Sequence, residues 1–429
     1  MRHRLLPEGA RSGDKVPVME ASSPTSAADP PASRHEPMGF REFVGMVAGL
    51  MALNALAIDI MLPALQQIGS ALAVEDENTR QVVLSAYLVG FGAGQLLVGS
   101  VSDRFGRRTV LVTGLVLYVM AALLCAAAPS FGALLAGRLV QGLASAAPRV
   151  VTMSVVRDCY AGRRMASVMS LAMTVFMAVP VLAPSVGQFV LLFASWRAIF
   201  GFLTVYGIAM LIWVVLRLPE TLAPDHRRSA APRQVFSAFR EVLTTRRTLG
   251  YALASGTMFG AMFGFLVSSQ QIFTQLFGLG VYFPLAFASV ALAMSVSSFL
   301  NSRLVGRYGM NRLSHGAVVL FTLLSATMAA LAWAGLLGFV PFMLLLGGMM
   351  FLIGMVFSNF NALAMEPQGH LAGTASSVIG SVSTLLGAAI GSGIGQAYDG
   401  TLVPLAMGYV LLSLVTLAIV AVTERGRLF

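Results

Sequence analysis

The sequence predicts an all-α integral membrane protein with about twelve transmembrane helices, and three observations support this fold class. Of the 429 residues, 57% are hydrophobic and only 11% are charged, whereas a soluble domain carries roughly 25% charged residues. Apolar stretches close to the ~20 residues that cross a bilayer as a helix recur along the chain. A charged, glycine-containing segment follows such a stretch once in each half of the chain, which predicts two pseudo-symmetric six-helix bundles.

The individual spans follow from these apolar stretches, because lipid offers no hydrogen-bond partner to a backbone that is not helical. In the first bundle we predict helices at 42–65, 81–102, 109–128, 131–156, 166–193 and 198–218. In the second bundle we predict helices at 249–272, 282–302, 314–334, 340–363, 372–396 and 402–423.

The same pattern divides the chain into five segments. Residues 1–40 are rich in Pro, Ser, Ala and charge without apolar periodicity, and are predicted to be a disordered cytoplasmic tail. We expect the N-terminal bundle at 41–218, a basic cytoplasmic linker at 219–248, the C-terminal bundle at 249–423 and a cytoplasmic tail at 424–429.

The distribution of basic residues predicts the orientation in the membrane. Arginines concentrate in the tails, in the central linker and in the loops on one side, whereas Arg80 and Arg197 alone fall on the other side. Loops rich in Lys and Arg stay in the cytoplasm, so we expect both termini there. The formal charge of +10 therefore indicates membrane topology and lipid contact, and we expect no nucleic-acid partner.

Several function classes lack their motifs in this sequence. Lys15 is the only lysine and no glycine-rich phosphate loop surrounds it, which excludes ATP binding of that type. The five histidines form no His-Glu-x-x-His motif, and Cys125 and Cys159 are not at metal or redox spacing. We expect no metal, no cofactor and no catalytic residues. Because the chain has no ATP-binding motif of that type, uphill transport must use an ion gradient, unless a partner chain supplies the energy.

Two charged residues within predicted spans are candidates for proton coupling. Asp59 lies in the first helix and Arg138 in the fourth, each about 10 Å from the outer end at 1.5 Å per residue, so the two could meet. A charge at this depth is costly and normally faces a cavity or a partner. A carboxylate there can bind and release a proton as its surroundings change. The alternative is a fixed Asp–Arg or Asp–backbone contact that only holds the first helix in place.

The charged segment between helices 2 and 3 is a candidate conformational switch at the inner gate. Its glycines allow a tight turn, Asp103 can accept hydrogen bonds from a helix N-terminus, and Arg107 or Arg108 can pair with Asp158. Such pairs would hold the two halves together and open when the protein changes state. The alternative is a solvated loop that obeys the charge rule. The predicted gate residues are Gly99, Asp103, Arg104, Gly106, Arg107, Arg108 and Asp158.

Two further sets of residues belong to the predicted transport path. Prolines four residues apart in helix 5 predict a bend, beside a glycine that permits close packing: Pro180, Pro184 and Gly187. Polar and aromatic side chains within spans are candidates for the substrate cavity, although each could equally serve ordinary helix packing: Asn54, Tyr87, Gln95, Gln141, Arg149, Gln270, Asn359 and Asn361.

These residues resemble a known family. The segment 99–108 resembles the loop 2–3 signature of the major facilitator superfamily, and 135–142 resembles its helix 4 signature. Asp59 with Pro63, together with the segments Arg157-Asp158, Trp196-Arg197 and Pro219-Glu220-Thr221, is similar to the bicyclomycin/chloramphenicol-resistance type of drug/proton antiporter. The resemblance implies the major facilitator fold, a role for Arg138 in proton coupling and a location in the bacterial inner membrane.

The function we expect is proton-coupled efflux of small lipophilic or cationic compounds such as drugs, by alternating access, from a monomer. A carrier of one specific metabolite, working as importer or exporter, is the alternative within transport. A membrane enzyme or sensor is the alternative outside it, and no clustered ionisable groups in the spans support that class.

Overall fold

Among the residues that the structure describes, twelve helices are long and apolar enough to cross a membrane. The computed structural model describes residues 38–222 and 232–426, and these residues are almost entirely helical, with no strand among them. The predicted fold class is therefore confirmed. The helices, labelled α1 to α12 in chain order, are Phe40–Ala71, Glu77–Phe105, Arg107–Ala126, Phe131–Cys159, Gly162–Phe193, Arg197–Arg217, Arg246–Leu276, Gly280–Tyr308, Met310–Trp333, Phe339–Gly369, Gly373–Gln396 and Val403–Thr423.

The outward faces of these helices carry large apolar side chains. Phe193 and Trp333 are each 77% exposed, and Leu216 and Leu344 are exposed to a similar extent. In water such a surface would be unfavourable, whereas in a bilayer it faces lipid tails of equal polarity. The chain is accordingly a multi-pass membrane protein.

The turn between α2 and α3 is tighter than the sequence predicted. Helix α2 continues to Phe105, and Gly106 alone makes the turn, with a backbone φ of +99° that favours glycine. Gly309 makes the corresponding turn between α8 and α9, with a φ of +80°. The predicted turn role of Gly99 is wrong: this residue lies inside α2, where an added Cβ would meet the Ser377 hydroxyl of α11 at 2.6 Å.

The first helix of each set, α1 and α7, is irregular near the end that lies further along the chain. In α1 the regular helix stops at Asp59, and a short 3₁₀ turn at Leu62–Ala64 contains Pro63, which has no N–H to continue the ladder. In α7 the regular helix stops at Gln270, and a π-helical turn follows at Gln271–Leu276. Interrupted helices leave backbone groups free to accept or donate other bonds.

Helix contacts within and between the two sets of six position the candidate site. In the first set α4 packs on α2 and α3, and in the second set α7 packs on α11 and α12. Across the two sets, α2 packs on α11 and α5 packs on α8. A linker helix, Pro232–Thr244, contacts α7 and α11. The predicted segment boundaries remain predictions, and residues 1–37, 223–231 and 427–429 of the predicted tails and linker lie outside the described residues.

Candidate functional site

A cavity of about 820 Å³ lies between the two sets of helices. It is at the end of the molecule where α2 meets α3 and α4 meets α5, which we call the arginine-rich end. From Asp103 to Gln95, which both line it, α2 rises about 12 Å at 1.5 Å per residue. Of the residues predicted for the cavity, it is lined by Gln95, Arg149 and Asn361.

Arg107 is the centre of an ion cluster at the mouth of this cavity. Its guanidinium lies 2.5 Å from Asp103 Oδ1 and 3.2 Å from Asp158 Oδ2, and it donates to Ser102 Oγ at 2.7 Å. All four residues belong to the first set of helices. These ion pairs therefore join α2, α3 and α4 to one another. The expectation that they hold the two halves of the protein together is wrong for the state that the structure shows.

Glu220, which follows α6, caps the N-terminus of α3. Its carboxylate accepts from the backbone N–H of Arg107 at 2.8 Å and of Arg108 at 3.2 Å. The sequence assigned such a role to Asp103, and that assignment is wrong because Asp103 is engaged by the Arg107 side chain. Negative charge at a helix N-terminus is favourable, and Gly106 leaves the space that Glu220 occupies.

The other two arginines of this segment point away from the cavity. Arg108 donates to the carbonyl of Val215 in α6 at 2.9 Å. The exposed Arg104 lies over the ring of Phe105 at 5.2 Å. Neither residue contacts the second set of helices through a described hydrogen bond or ion pair.

Arg138 is fully buried in the first set and binds backbone rather than Asp59. It donates to the carbonyls of Val83 at 3.3 Å and Ala57 at 3.1 Å, and its guanidinium lies 4.4 Å from the Tyr87 ring centroid. Ala57 is in the last turn before the helix break at Asp59, where carbonyls lack intrahelical donors. The predicted Asp59–Arg138 contact is therefore wrong, because the guanidinium of Arg138 binds the carbonyl of Ala57 instead of the Asp59 carboxylate.

Asp59 is buried, with 4% of its surface exposed. Among the residues that the structure describes, none forms a hydrogen bond or ion pair with its carboxylate. The cavity at the arginine-rich end does not reach it. A buried carboxylate without a cationic partner can remain in a membrane interior as the protonated acid.

A polar cluster beneath Arg138 contains three of the residues predicted to line the cavity. Gln141 Oε1 accepts from Arg138 at 2.8 Å, and the Tyr87 hydroxyl donates to Asn54 Oδ1 at 2.9 Å. Ser145 donates to the same oxygen at 3.4 Å. Asn54, Tyr87 and Gln141 lie outside the cavity lining in this state, and the Gln141 amide Nε2 is buried without an acceptor among the described residues.

Two predicted cavity residues of the second set also lie elsewhere. The Asn359 amide donates to Asn301 Oδ1 at 2.8 Å and is buried between α8 and α10. Gln270 donates to Thr274 at 3.0 Å, at the other end of the molecule from the cavity mouth. Their side chains satisfy polar groups inside helix contacts, so neither lines the cavity.

Helix α5 is continuous through the residues predicted to bend it. Pro180 and Pro184 lie inside Gly162–Phe193, and an added Cβ at Gly187 would meet the backbone oxygen of Ile60. Gly187 thus permits close contact between α5 and the break in α1 beside Asp59. The bend itself remains a prediction.

At the opposite end, where α1 meets α2, neutral side chains join the two sets of helices. Asn78 donates to the carbonyls of Gln396 at 3.1 Å and Tyr398 at 2.9 Å, and the Gln271 amide donates to Asn78 Oδ1 at 2.8 Å. Gln81 and Gln271 are hydrogen-bonded through their amides. We call Asn78, Gln81, Gln271 and Gln396 the amide cluster. Sequence reasoning missed it, because Asn78 and Gln81 are far along the chain from Gln271 and from Gln396.

Arg149 is the one predicted cavity residue whose charge has no partner. It makes no hydrogen bond or ion pair with any residue that the structure describes, and its Nη1 is buried. Its guanidinium lies 6.0 Å from the ring centroid of Phe176 in α5. The sequence predicted Arg149 as a cavity residue but gave no sign that its charge lacks a partner.

Comparisons with known proteins agree with this architecture. A profile of the Major Facilitator Superfamily matches residues 47–392. The uncharacterized MFS-type transporter YdgK of Bacillus subtilis is 32% identical over 84% of this chain and 90% of its own length. The bicyclomycin resistance protein homolog of Haemophilus influenzae is 30% identical over 85% of this chain and 91% of its own. The solved structure of the xylose transporter XylE from E. coli has a TM-score of 0.68 at 11% identity, covering 88% of this chain and 96% of that one.

Proposed function

Because the chain belongs to the Major Facilitator Superfamily and is a membrane transporter rather than an enzyme, we propose that it exports small lipophilic compounds of the drug type in exchange for protons. The resistance named for its Haemophilus relative supports export of a toxic compound. We further propose that it works as a monomer in the bacterial inner membrane, with the arginine-rich end in the cytoplasm.

The observation that carries this proposal is a cavity accessible from one end only. The space of about 820 Å³ separates the two sets of helices at the arginine-rich end. The amide cluster joins the same two sets at the opposite end. Alternating access requires such a state and its counterpart with the contacts exchanged. With the arginine-rich end in the cytoplasm, this state takes up substrate from inside the cell.

Asp59 is the residue we propose for proton coupling, with Arg138 as a positioning residue. Its carboxylate is buried and faces no cation within the described residues, and it adjoins both the break in α1 and the close contact of Gly187. Movement of α5 against α1 would change the access of water to this carboxylate. An acid that gains and loses water in this way releases and rebinds a proton once per cycle.

The test compares wild type with Asp59→Asn in two assays. In the first assay, an efflux-deficient bacterial host that produces the protein is challenged with bicyclomycin and chloramphenicol, with and without a protonophore. In the second assay, uptake of the same two compounds into everted vesicles is measured under an imposed pH gradient. We expect wild type to protect the host and to drive gradient-dependent uptake, and Asp59→Asn to insert normally but lose the response to the gradient.

Glu75→Gln is the matched control, because Glu75 is an exposed carboxylate in the loop after α1. Its uptake should follow the gradient as wild type does. Substrate movement in wild-type vesicles that ignores the gradient, or full gradient-driven uptake by Asp59→Asn, contradicts the proposed coupling.

A further inference from the structure

We propose that Arg149 selects substrates that carry an acidic group, so that the preferred substrates are amphiphilic organic acids rather than cations. The proposal rests on the proposed function in one respect, which is that the cavity at the arginine-rich end receives the substrate. It keeps the lipophilic character that the sequence suggested for the substrate and replaces the suggested positive charge with a negative one.

The charges of the cavity lining favour an anion. Five charged side chains line it, namely Asp103, Arg107, Arg149, Arg157 and Asp158. Both carboxylates pair with Arg107. A cationic substrate would therefore compete with an existing ion pair for either acid, whereas an anionic substrate meets Arg149 without breaking any described ion pair.

Arg149 lines the cavity with an unpaired hydrogen-bond donor that an anionic substrate can bind. Its Nη1 is buried and has no acceptor among the described residues, although a buried donor without a partner costs free energy. The guanidinium also lies over the ring of Phe176, which contributes a weak cation–π contact but no hydrogen-bond acceptor. A planar guanidinium binds a carboxylate through two parallel hydrogen bonds, which restore the missing contacts.

The remaining lining suits the rest of such a molecule. Met153, Met173 and Met365 supply adaptable apolar surface. The lining from the second set of helices carries no charge, and its polar side chains are Asn361, Thr374, Ser376 and Ser377. A substrate with an apolar body and one acidic group therefore contacts apolar side chains and Arg149, respectively. A cationic substrate at the same place would be repelled by the charge of Arg149.

Binding without any gradient tests this inference separately from transport. Purified protein in nanodiscs is titrated with fluorescein, which is anionic, and with rhodamine 123, a cation on the same xanthene framework, and binding is followed by fluorescence anisotropy. We expect wild type to bind fluorescein more tightly than rhodamine 123. Loss of charge-assisted hydrogen bonds in Arg149→Gln should weaken fluorescein binding by about tenfold or more and leave rhodamine 123 binding unchanged or tighter.

Two further variants separate recognition from folding and from general charge effects. Arg149→Lys keeps the charge but loses the two-point geometry, so we expect it to retain part of the preference for fluorescein. Arg163→Gln removes an exposed arginine in the first turn of α5, outside the cavity, and should bind both dyes as wild type does. A monodisperse elution profile and a wild-type unfolding temperature identify the variants that fold normally.

Each outcome bears on the inference. It is overturned if wild type binds rhodamine 123 as tightly as fluorescein, if it binds no fluorescein, or if Arg149→Gln binds fluorescein as wild type does. Loss of fluorescein binding in Arg163→Gln as well would also overturn it, because a general surface charge would then explain the preference. Since no gradient is present, a failure of proton coupling leaves all of these results unchanged.

Discussion

At the scale of single residues, the structure separates two buried charges that the sequence placed together. Depth along the helices could be read from the sequence, so both Asp59 and Arg138 were correctly located within spans. The direction of each side chain could not be read. A carbonyl freed by the break in α1 competes for the guanidinium, and Arg138 binds Ala57 instead of the acid two residues later.

Arg138→Lys should destabilise the protein, because Nε and Nη2 of the guanidinium reach the carbonyls of Val83 and Ala57 separately, whereas lysine has all its donors on a single nitrogen. Each buried acceptor left unpaired costs about 1–3 kcal/mol, so a clearly lower unfolding temperature is expected. The measurement is thermal unfolding of the purified protein, followed by intrinsic fluorescence.

Arg197→Lys is the control for that substitution. Arg197 is exposed, donates to the carbonyl of Ala128 at 3.0 Å and lies over the Trp196 ring, so solvent can replace its contacts. An equal unfolding temperature for Arg138→Lys and wild type would show that the two carbonyl bonds contribute little.

At the scale of helices, the number and approximate bounds of the spans were predictable because apolar length alone determines them. The predicted bounds fell short at several ends, for example 282–302 against Gly280–Tyr308. The excess consists of amphipathic or charged turns beyond the hydrocarbon, which hydropathy does not detect. The role of Gly99 was likewise not predictable, since a helical glycine and a turn glycine look alike until the neighbouring helix is placed.

Close packing between α7 and α11 gives a prediction at this scale. An added Cβ at Gly391 would lie 2.8 Å from the backbone nitrogen of Gly264 and from Cβ of Phe263. Backbone atoms cannot rotate away, so Gly391→Ala must push the two helices apart at a cost of about 1–3 kcal/mol. Unfolding temperature and expression level measure the effect.

The same helix provides the control. Gly393, two residues further on, is exposed and an added Cβ there has nothing within 4 Å. Gly393→Ala should match wild type or exceed it slightly, since alanine is the better helix former. Equal stability of the two alanine variants would mean that the helix contact adjusts without cost.

At the scale of the whole molecule, the sequence indicated two related halves but not which end of the space between them is open. That choice depends on a small difference between two packings of the same side chains. The amide cluster illustrates the point: its members are neutral, come from both sets of helices and pair across the end opposite the cavity in this state. Neutral amides can separate into water without exposing an unpaired charge, so they suit a contact that must break in every cycle.

Locking the amide cluster should stop transport without abolishing substrate binding. Asn78 and Gln396 bond to each other through side chain and backbone, at 3.1 and 2.6 Å, so cysteines at these two positions lie within reach of a short bismethanethiosulfonate cross-linker. The buried Cys125 and Cys159 are first replaced by alanine. Cross-linking holds the opposite end closed, so gradient-driven uptake into vesicles should fall to background, whereas dye binding from the arginine-rich end should persist. Reduction should restore uptake, and each single-cysteine variant should be insensitive to the reagent. Undiminished uptake at complete cross-linking would mean that this end does not open during transport.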